Sequence, residues 1–227
     1  MNLIEWPAVI KPIDASIPKL EGQGANSGPS ITGQIRYVQS PAVRWRYRFR
    51  AKLWTRNEHL AWRALISLTD GPINLMRVPI GDCRYSVLSG AGLASGVVKS
   101  TVPHSDGTPH SDGTPYAQGG TEGLCLGAVA GATALNVTMS IAIAPQPGQF
   151  FSDDQSLYSI KSATLLSVNT YRLTFAPRLR RALPYGARIN FDRLFCAMRF
   201  TDETVADVDR QLMKFGMLDL DFTEALL

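Results

Sequence analysis

From residue 43 to residue 53, apolar and cationic side chains alternate without a break. Val43, Trp45, Tyr47, Phe49, Ala51 and Leu53 are interleaved with Arg44, Arg46, Arg48, Arg50 and Lys52. Successive side chains of an extended chain point to opposite faces, so this stretch reads as one long strand with an apolar face and a cationic face. A helix would scatter the same charges around its circumference. Like charges lined up on one face repel one another, so an anionic surface must lie opposite them. It could be carboxylates of the same chain, carboxylates of a neighbouring copy, or nucleic acid. The closing segment Leu218-Asp-Leu-Asp-Phe-Thr-Glu224 alternates in the same way, and its Asp219 and Asp221 have the two-residue spacing needed to pair with residues 44–52. The rings of the basic strand lie on the face away from its arginines, whereas single-strand nucleic-acid binders place stacking rings beside their cations.

The rest of the chain is read around this strand. Ala8–Ile13 is expected as a short edge strand interrupted by Pro12, Glu21–Pro29 as a turn-rich loop, and Ile31–Val38 as a strand. Thr55-Arg-Asn-Glu58 is a capping box, followed by Leu60, Ala61, Ala64, Leu65 and Leu68 at helical spacing, with Gly71-Pro72 as the stop. A strand then returns over Ile73–Ile80. From Gly81 to Gly131 the periodicity disappears, and Pro103-His-Ser-Asp-Gly-Thr108 recurs unchanged as Pro109-His-Ser-Asp-Gly-Thr114. Two copies are too few for a solenoid, so this region reads as a long surface loop. Beyond Thr133, short strands resume over residues 135–143, 157–160, 163–168, 171–175, 187–191, 194–200 and 217–224. About ten short strands and one helix describe a mainly β sandwich or barrel with a flanking helix. The expectation is one domain over residues 1–227, with its core in about 31–80 and 133–225 and an inserted loop at about 81–132.

Nothing in the sequence calls for catalysis, a metal or a cofactor. Cys83, Cys125 and Cys196 form no CxxC pair, so neither a disulfide framework nor a zinc site is indicated. The doubled tract offers His104, Asp106, His110 and Asp112, with Tyr116 just beyond, but a Gly/Pro loop lacks the buried orienting group that a triad needs, and the spacing fits no EF-hand or zinc motif. Gly90-Ala-Gly92 and residues 127–131 match neither phosphate-loop pattern. His59 reads as a surface residue in the first helical turn. The net charge of +4 and pI of about 9.1 are mild for a dedicated nucleic-acid binder. No apolar run approaches the roughly 18 to 20 residues that span a bilayer. The start, Met1-Asn-Leu-Ile-Glu-Trp-Pro7, lacks the basic and apolar regions of a secretory signal.

The order of parts resembles the distal tail protein of long-tailed bacteriophages and gene-transfer-agent-like particles. The likeness is carried by Trp62-Arg-Ala-Leu, Gly71-Pro-Ile-Asn and Arg77-Val-Pro-Ile-Gly-Asp82, by the 106–116 tract, and by Pro147-Gly-Gln-Phe-Phe. Leu157-Tyr-Ser-Ile, Phe175-Ala-Pro-Arg-Leu-Arg-Arg, Met198-Arg-Phe and the closing Leu218–Ala225 segment complete it, so that it spans about residues 40 to 225. It implies a tail-tube-like β-sandwich or barrel assembled as a homo-hexameric ring, made in the host cytoplasm and residing in the virion tail. It also implies contacts with the tail tube, tail hub or tip and tape-measure proteins, DNA passing through the lumen without specific binding, and no membrane insertion. In such a ring Arg44, Arg46, Arg48, Arg50, Lys52, Asp219 and Asp221 would form the subunit interface, and His104, Asp106, His110, Asp112 and Tyr116 would make loop contacts. Three alternatives stay open: another tail component such as a tube or terminator protein, a nucleic-acid-binding β module using residues 44–52 and Arg178–Arg181, and a tail-associated hydrolase built on the doubled tract.

Overall fold

The computed structural model describes residues 3–22, 24–29, 35–38, 42–70, 73–81, 99–102, 116–117, 122–140, 143–153, 155–202, 209–211 and 215–226. The protein is mainly β with one helix, as the alternation predicts. It divides into two compact units, Met1–Val78 with Ala197–Leu227, and Pro79–Cys196. The first begins with β1 (Leu3–Glu5), β2 (Pro12–Ala15), β3 (Lys19–Glu21), β4 (Ala25–Pro29), β5 (Ile35–Val38), β6 (Arg44–Leu53) and α1 (Arg56–Thr69). The chain leaves it along β7 (Leu75–Ile80) and forms β8 (Lys99–Val102), β9 (Tyr116–Ala117), β10 (Glu122–Ala128), β11 (Ala134–Met139), β12 (Phe150–Ser152), β13 (Leu157–Ser167), β14 (Thr170–Ala176) and β15 (Leu183–Asn190). It returns along β16 (Leu194–Phe200) and ends with β17 (Asp209–Gln211) and β18 (Phe215–Glu224). The single domain expected from the sequence is therefore two units, and the insertion is larger than a loop: it is a folded module.

The sheet of the first unit runs β1-β7-β16-β18-β6-β2, with β3 also on β6 and β17 on β18. Its centre is the antiparallel pair β6–β18, in register from Gly216↔Leu53 to Thr223↔Arg46. All the odd-numbered side chains of β6 are buried, as are Leu218, Leu220 and Phe222 of β18. The resulting core is aromatic. Phe222 stacks on Phe49 and on Phe200 with ring centroids 5.2 Å apart in both pairs, and Trp6 meets Phe49 edge-on at 5.3 Å. Each fully buried ring or aliphatic side chain contributes roughly 1.5–3 kcal/mol, so this one face dominates the stability of the unit.

The edge beside β6 differs from the expected strand. Residues 8–10 form a turn, and pairing starts at Pro12, where a missing N–H costs nothing on an edge. β2 and β3 act as one edge strand interrupted at Ser16. The Ser16 N–H donates to the Arg48 carbonyl at 2.8 Å, and the Arg48 N–H returns a bond to Ser16 Oγ at 3.1 Å. The expected loop at 21–29 contains β4, which pairs with β5 in a separate two-stranded sheet, whereas residues 31–34 of the expected strand lie outside the described residues.

Helix α1 starts as the capping box predicts. Thr55 Oγ1 accepts the Glu58 N–H, and the Glu58 carboxylate accepts the N–H groups of Trp54 and Thr55. The helix ends at Asp70, in left-handed conformation with φ 48°, ahead of the expected stop at Gly71-Pro72, which lies outside the described residues. Its buried side is Trp62, Leu65 and Thr69, while Leu60, Ala64 and Leu68, which periodicity assigned to the core, are exposed. Trp62 moves the buried stripe: its ring lies 6.2 Å from Phe200 and 6.5 Å from Trp6, centroid to centroid.

The second unit is built on a closed barrel in the order β10-β11-β14-β13-β12-β15, and β8 and β9 form a small separate sheet. Cys125, Val137, Phe151, Tyr158, Phe175 and Phe191 are among the side chains of its core. The two strands expected at 157–160 and 163–168 are one, β13. β10 falls inside the 81–131 region that the sequence reads as a long loop for want of periodicity. Gly123 is there for packing: a Cβ would lie 2.4 Å from Val137 Cγ2 and 3.1 Å from Phe191 Cε2. Gly123→Ala should therefore destabilise the barrel by roughly 1–3 kcal/mol through overpacking. Hydrogen exchange of β10 and β11 should show the loss, and unchanged protection there would contradict this account.

Candidate functional site

The cationic face of β6 finds its counter-charges in the same chain. Register sets Asp219 opposite Arg50 and Asp221 opposite Arg48. Arg50 Nε donates to Asp219 Oδ1 at 2.6 Å, and Arg48 Nε donates to Asp221 Oδ2 at 2.8 Å. Arg46 reaches diagonally, with Nε 2.9 Å from Asp221 Oδ1 and Nη2 2.6 Å from Oδ2, and its Nη1 donates to Glu21 Oε1 at 3.1 Å. Asp221 thus bridges two arginines and also accepts the Thr201 hydroxyl at 3.4 Å. Lys52 lies 3.7 Å above the Trp54 ring centroid, which a cation–π contact favours.

Burial alone would push the Asp221 carboxyl up, but hydrogen bonds from Arg46 and Arg48, with their charges, outweigh it and hold the group below its ordinary value of 3.8. Hydrogen bonds to Asp221 and Glu21 raise the Arg46 guanidinium correspondingly. The ladder is graded by exposure. Arg46 and Asp221 have side chains 31% and 21% exposed, whereas Arg50 and Asp219 reach 56% and 74%, where a pair contributes little. Asp14, Ser16, Arg48, Arg50, Asp219 and Asp221 border an open groove of about 540 Å³.

Five of the expected interface residues, Arg46, Arg48, Arg50, Asp219 and Asp221, are therefore brought together, but by intramolecular pairing. The carboxylates expected to serve a neighbouring copy are already engaged, and a neighbour would meet a ladder of both signs. His104, Asp106, His110 and Asp112 lie outside the described residues, as do Cys83 and residues 90–92, and Tyr116 opens β9. In the second basic cluster, Arg181 pairs with buried Asp153 at 3.2 Å and donates to its carbonyl at 2.6 Å, while the Arg180 N–H donates to the Tyr158 hydroxyl. These three contacts tie residues 180 and 181 to Asp153 and to Tyr158 of β13.

Sequence reasoning missed Glu224. It continues the buried series 218, 220, 222, is 2% exposed, and accepts the Trp45 N–H at 3.0 Å. The period-two count could have found it. Burial raises the Cys125 thiol, which suits packing better than nucleophilic work. Among the described residues no three His, Cys, Asp or Glu side chains gather as metal ligands, and no helix is long and apolar enough to cross a membrane.

No protein-family model matches the chain, and a search of curated proteins finds no match.

Because the folded Asp221 value is depressed, its pairing stabilises the protein above the unfolded value and is lost as pH falls through the lower folded value. Asp221→Asn should cost roughly 1–2 kcal/mol at pH 7, discounted for partial exposure, and the deficit should shrink below about pH 4. Trp6, Trp45, Trp54 and Trp62 all lie in the first unit, so tryptophan fluorescence during urea unfolding reads it alone. A deficit independent of pH would mean that the charge of Asp221 is immaterial.

Proposed function

We propose that the protein is a structural, non-catalytic component of a long-tailed phage or phage-like particle, of the distal-tail type. In this reading copies of the chain form a homo-hexameric ring between the tail tube and the tail tip, with the tape-measure protein and DNA passing through it. The observation that supports this most directly is the surface along β2, β3 and β6. Ile13 and Ile17 are 60% and 65% exposed along a sheet edge, with Val9 50% exposed in the turn that precedes it, beside a ladder whose Arg48, Arg50 and Asp219 side chains stay more than half exposed. Soluble monomers guard sheet edges with charge or cover, so apolar side chains along one mark a contact that another chain completes. Charges of both signs and an apolar edge lie side by side on this surface, so a different patch of a second copy can match it, and a heterologous contact that closes on itself makes a ring. Arginines already paired with aspartates also hold sliding DNA weakly.

The same pairing counts against a nucleic-acid groove along β6, since phosphates would have to displace Asp219 and Asp221. Sedimentation equilibrium and negative-stain imaging of the purified chain should show rings of about six copies. Ile13→Asp with Ile17→Asp should give monomers with unchanged tryptophan emission. A wild-type chain that stays monomeric at high concentration and in its native particle would remove the proposal.

A further inference from the structure

Helix α1 turns a second apolar row outward. Leu60, Ala64 and Leu68 are exposed on the side away from buried Trp62, Leu65 and Thr69, with Leu60 and Leu68 at 46% and 59%. Side chains four apart on a helix stand one above the other, so these three form a single row within about 40° of Ala64. Ala64 in the middle is small, and so is exposed Ser67 beside it, which lets another helix approach closely there.

The row reads the same from either end. Leu60 and Leu68 flank Ala64 at equal spacing, so an antiparallel copy with its two-fold axis at Ala64 sets Ala64 against Ala64 and Leu60 against Leu68. The charges at the helix ends point the same way. Arg56 stands in the first turn, where the helix dipole is positive, and Asp70 caps the last turn, where it is negative and no basic residue answers it. Each has the wrong sign for its own helix and the right sign for an antiparallel neighbour. Neither is held in an ion pair among the described residues. At 1.5 Å per residue Arg56 lies about 12 Å to one side of Ala64 and Asp70 about 9 Å to the other, so the two-fold brings Arg56 level with Asp70 of the second copy to within about 3 Å along the axes. Arg56, Arg63 and Asp70 follow at heptad spacing along one flank, and the same axis sets that flank against itself. The two Arg63 groups then approach each other near the axis, a cost that long exposed side chains relieve by turning to solvent. Nucleic acid or anionic lipid would use the arginines but meet Asp70 with the wrong sign.

We propose that α1 is a homotypic docking surface, on which two copies of the chain pair through antiparallel helices, Leu60 packing against Leu68, Ala64 against Ala64, and Arg56 meeting Asp70. The contact is small. A helix of 14 residues is about 21 Å long, and one face of it falls well short of the roughly 800 Å² per partner that a stable interface buries. The pairing is therefore transient between free copies and gains strength only where another contact holds them near each other. It uses neither β2 nor β3 and does not depend on ring assembly.

Disulfide trapping of the full chain tests this, because it captures pairs too short-lived for sedimentation. Cys125 and Cys196 are buried, and a Cys83→Ser background removes the remaining native thiol. In that background Ala64→Cys should form a crosslinked dimer under mild oxidation several-fold faster than an exposed control such as Lys161→Cys. Leu60→Cys and Leu68→Cys should crosslink to each other when mixed and far less each to itself, the signature of antiparallel order. Arg56→Glu should slow the trapping of Ala64→Cys several-fold, as should added salt. The new carboxylate suits its own helix dipole, so thermal unfolding at or above that of the parent separates lost docking from lost folding. Ile13→Asp with Ile17→Asp should leave trapping unchanged, which keeps this contact distinct from the ring contact. Trapping at Ala64 no faster than at the control overturns the proposal, as does self-crosslinking of Leu60→Cys in preference to the mixed pair, or an unchanged rate in Arg56→Glu. So does a Leu60→Cys thiol that resists maleimide in the monomer, which would mean that the chain itself covers the row, or vesicle or oligonucleotide binding that abolishes the trapping.

Discussion

The pairing of β6 with β18 is the constraint from which the first unit follows. Burying Trp45, Tyr47 and Phe49 on one side of a strand forces Arg46, Arg48 and Arg50 onto the other, and uncompensated that row would oppose the fold it helps to build. β18 answers on both sides at once. Leu220 and Phe222 enlarge the aromatic core while Asp219 and Asp221 face the arginines. A slip of one residue would invert both matches, so hydrophobic pattern and charge pattern specify the same register. The ion pairs contribute less to total stability than the core does, but they remove the alternatives.

The second unit is organised on another principle. Its six barrel strands close on themselves, although β13 beyond Ile160 pairs only with β14 among the described residues, and its core mixes aromatic and aliphatic side chains without an ion-pair ladder as its spine. Its exposed apolar residues are concentrated on the hairpin tip and along β10 and β15, where Leu124, Leu126 and Tyr185 face outward. The first unit instead exposes its apolar side chains along an edge. The two modules thus present different exposed apolar surfaces.

Much of the first unit was legible in the sequence because its signals are redundant. Alternation over β6 and β18, the spacing of Asp219 and Asp221, and the capping box at Thr55 each rest on a local rule that tertiary context reinforced. What failed were positions where packing overrode local preference. Leu60 and Leu68 have core periodicity, yet the size of Trp62 turned the helix away from them. Gly123 lies in the stretch read as loop, yet it sits where a Cβ would lie 2.4 Å from Val137 Cγ2 in the barrel wall. Glu224 was given no role in the sequence reading, although the period of two carries the buried series on to it. The two-unit division was hidden because β10 was missed, and with it the closure of the barrel.

The chain enters the inserted barrel before it has made the last strands of the sheet that frames it. Arg46 and Asp221 touch although 175 positions separate them, and the barrel strands lie between. On a ribosome, β6 emerges without Asp219 and Asp221 for its arginines and without Phe222 for its rings, and it stays so until β18 clears the exit tunnel. The barrel, whose strands are all closer in sequence, is free to fold first. The first unit is therefore completed only after the barrel and β18 have been made, and until then this protein is most exposed to mispairing with another nascent strand.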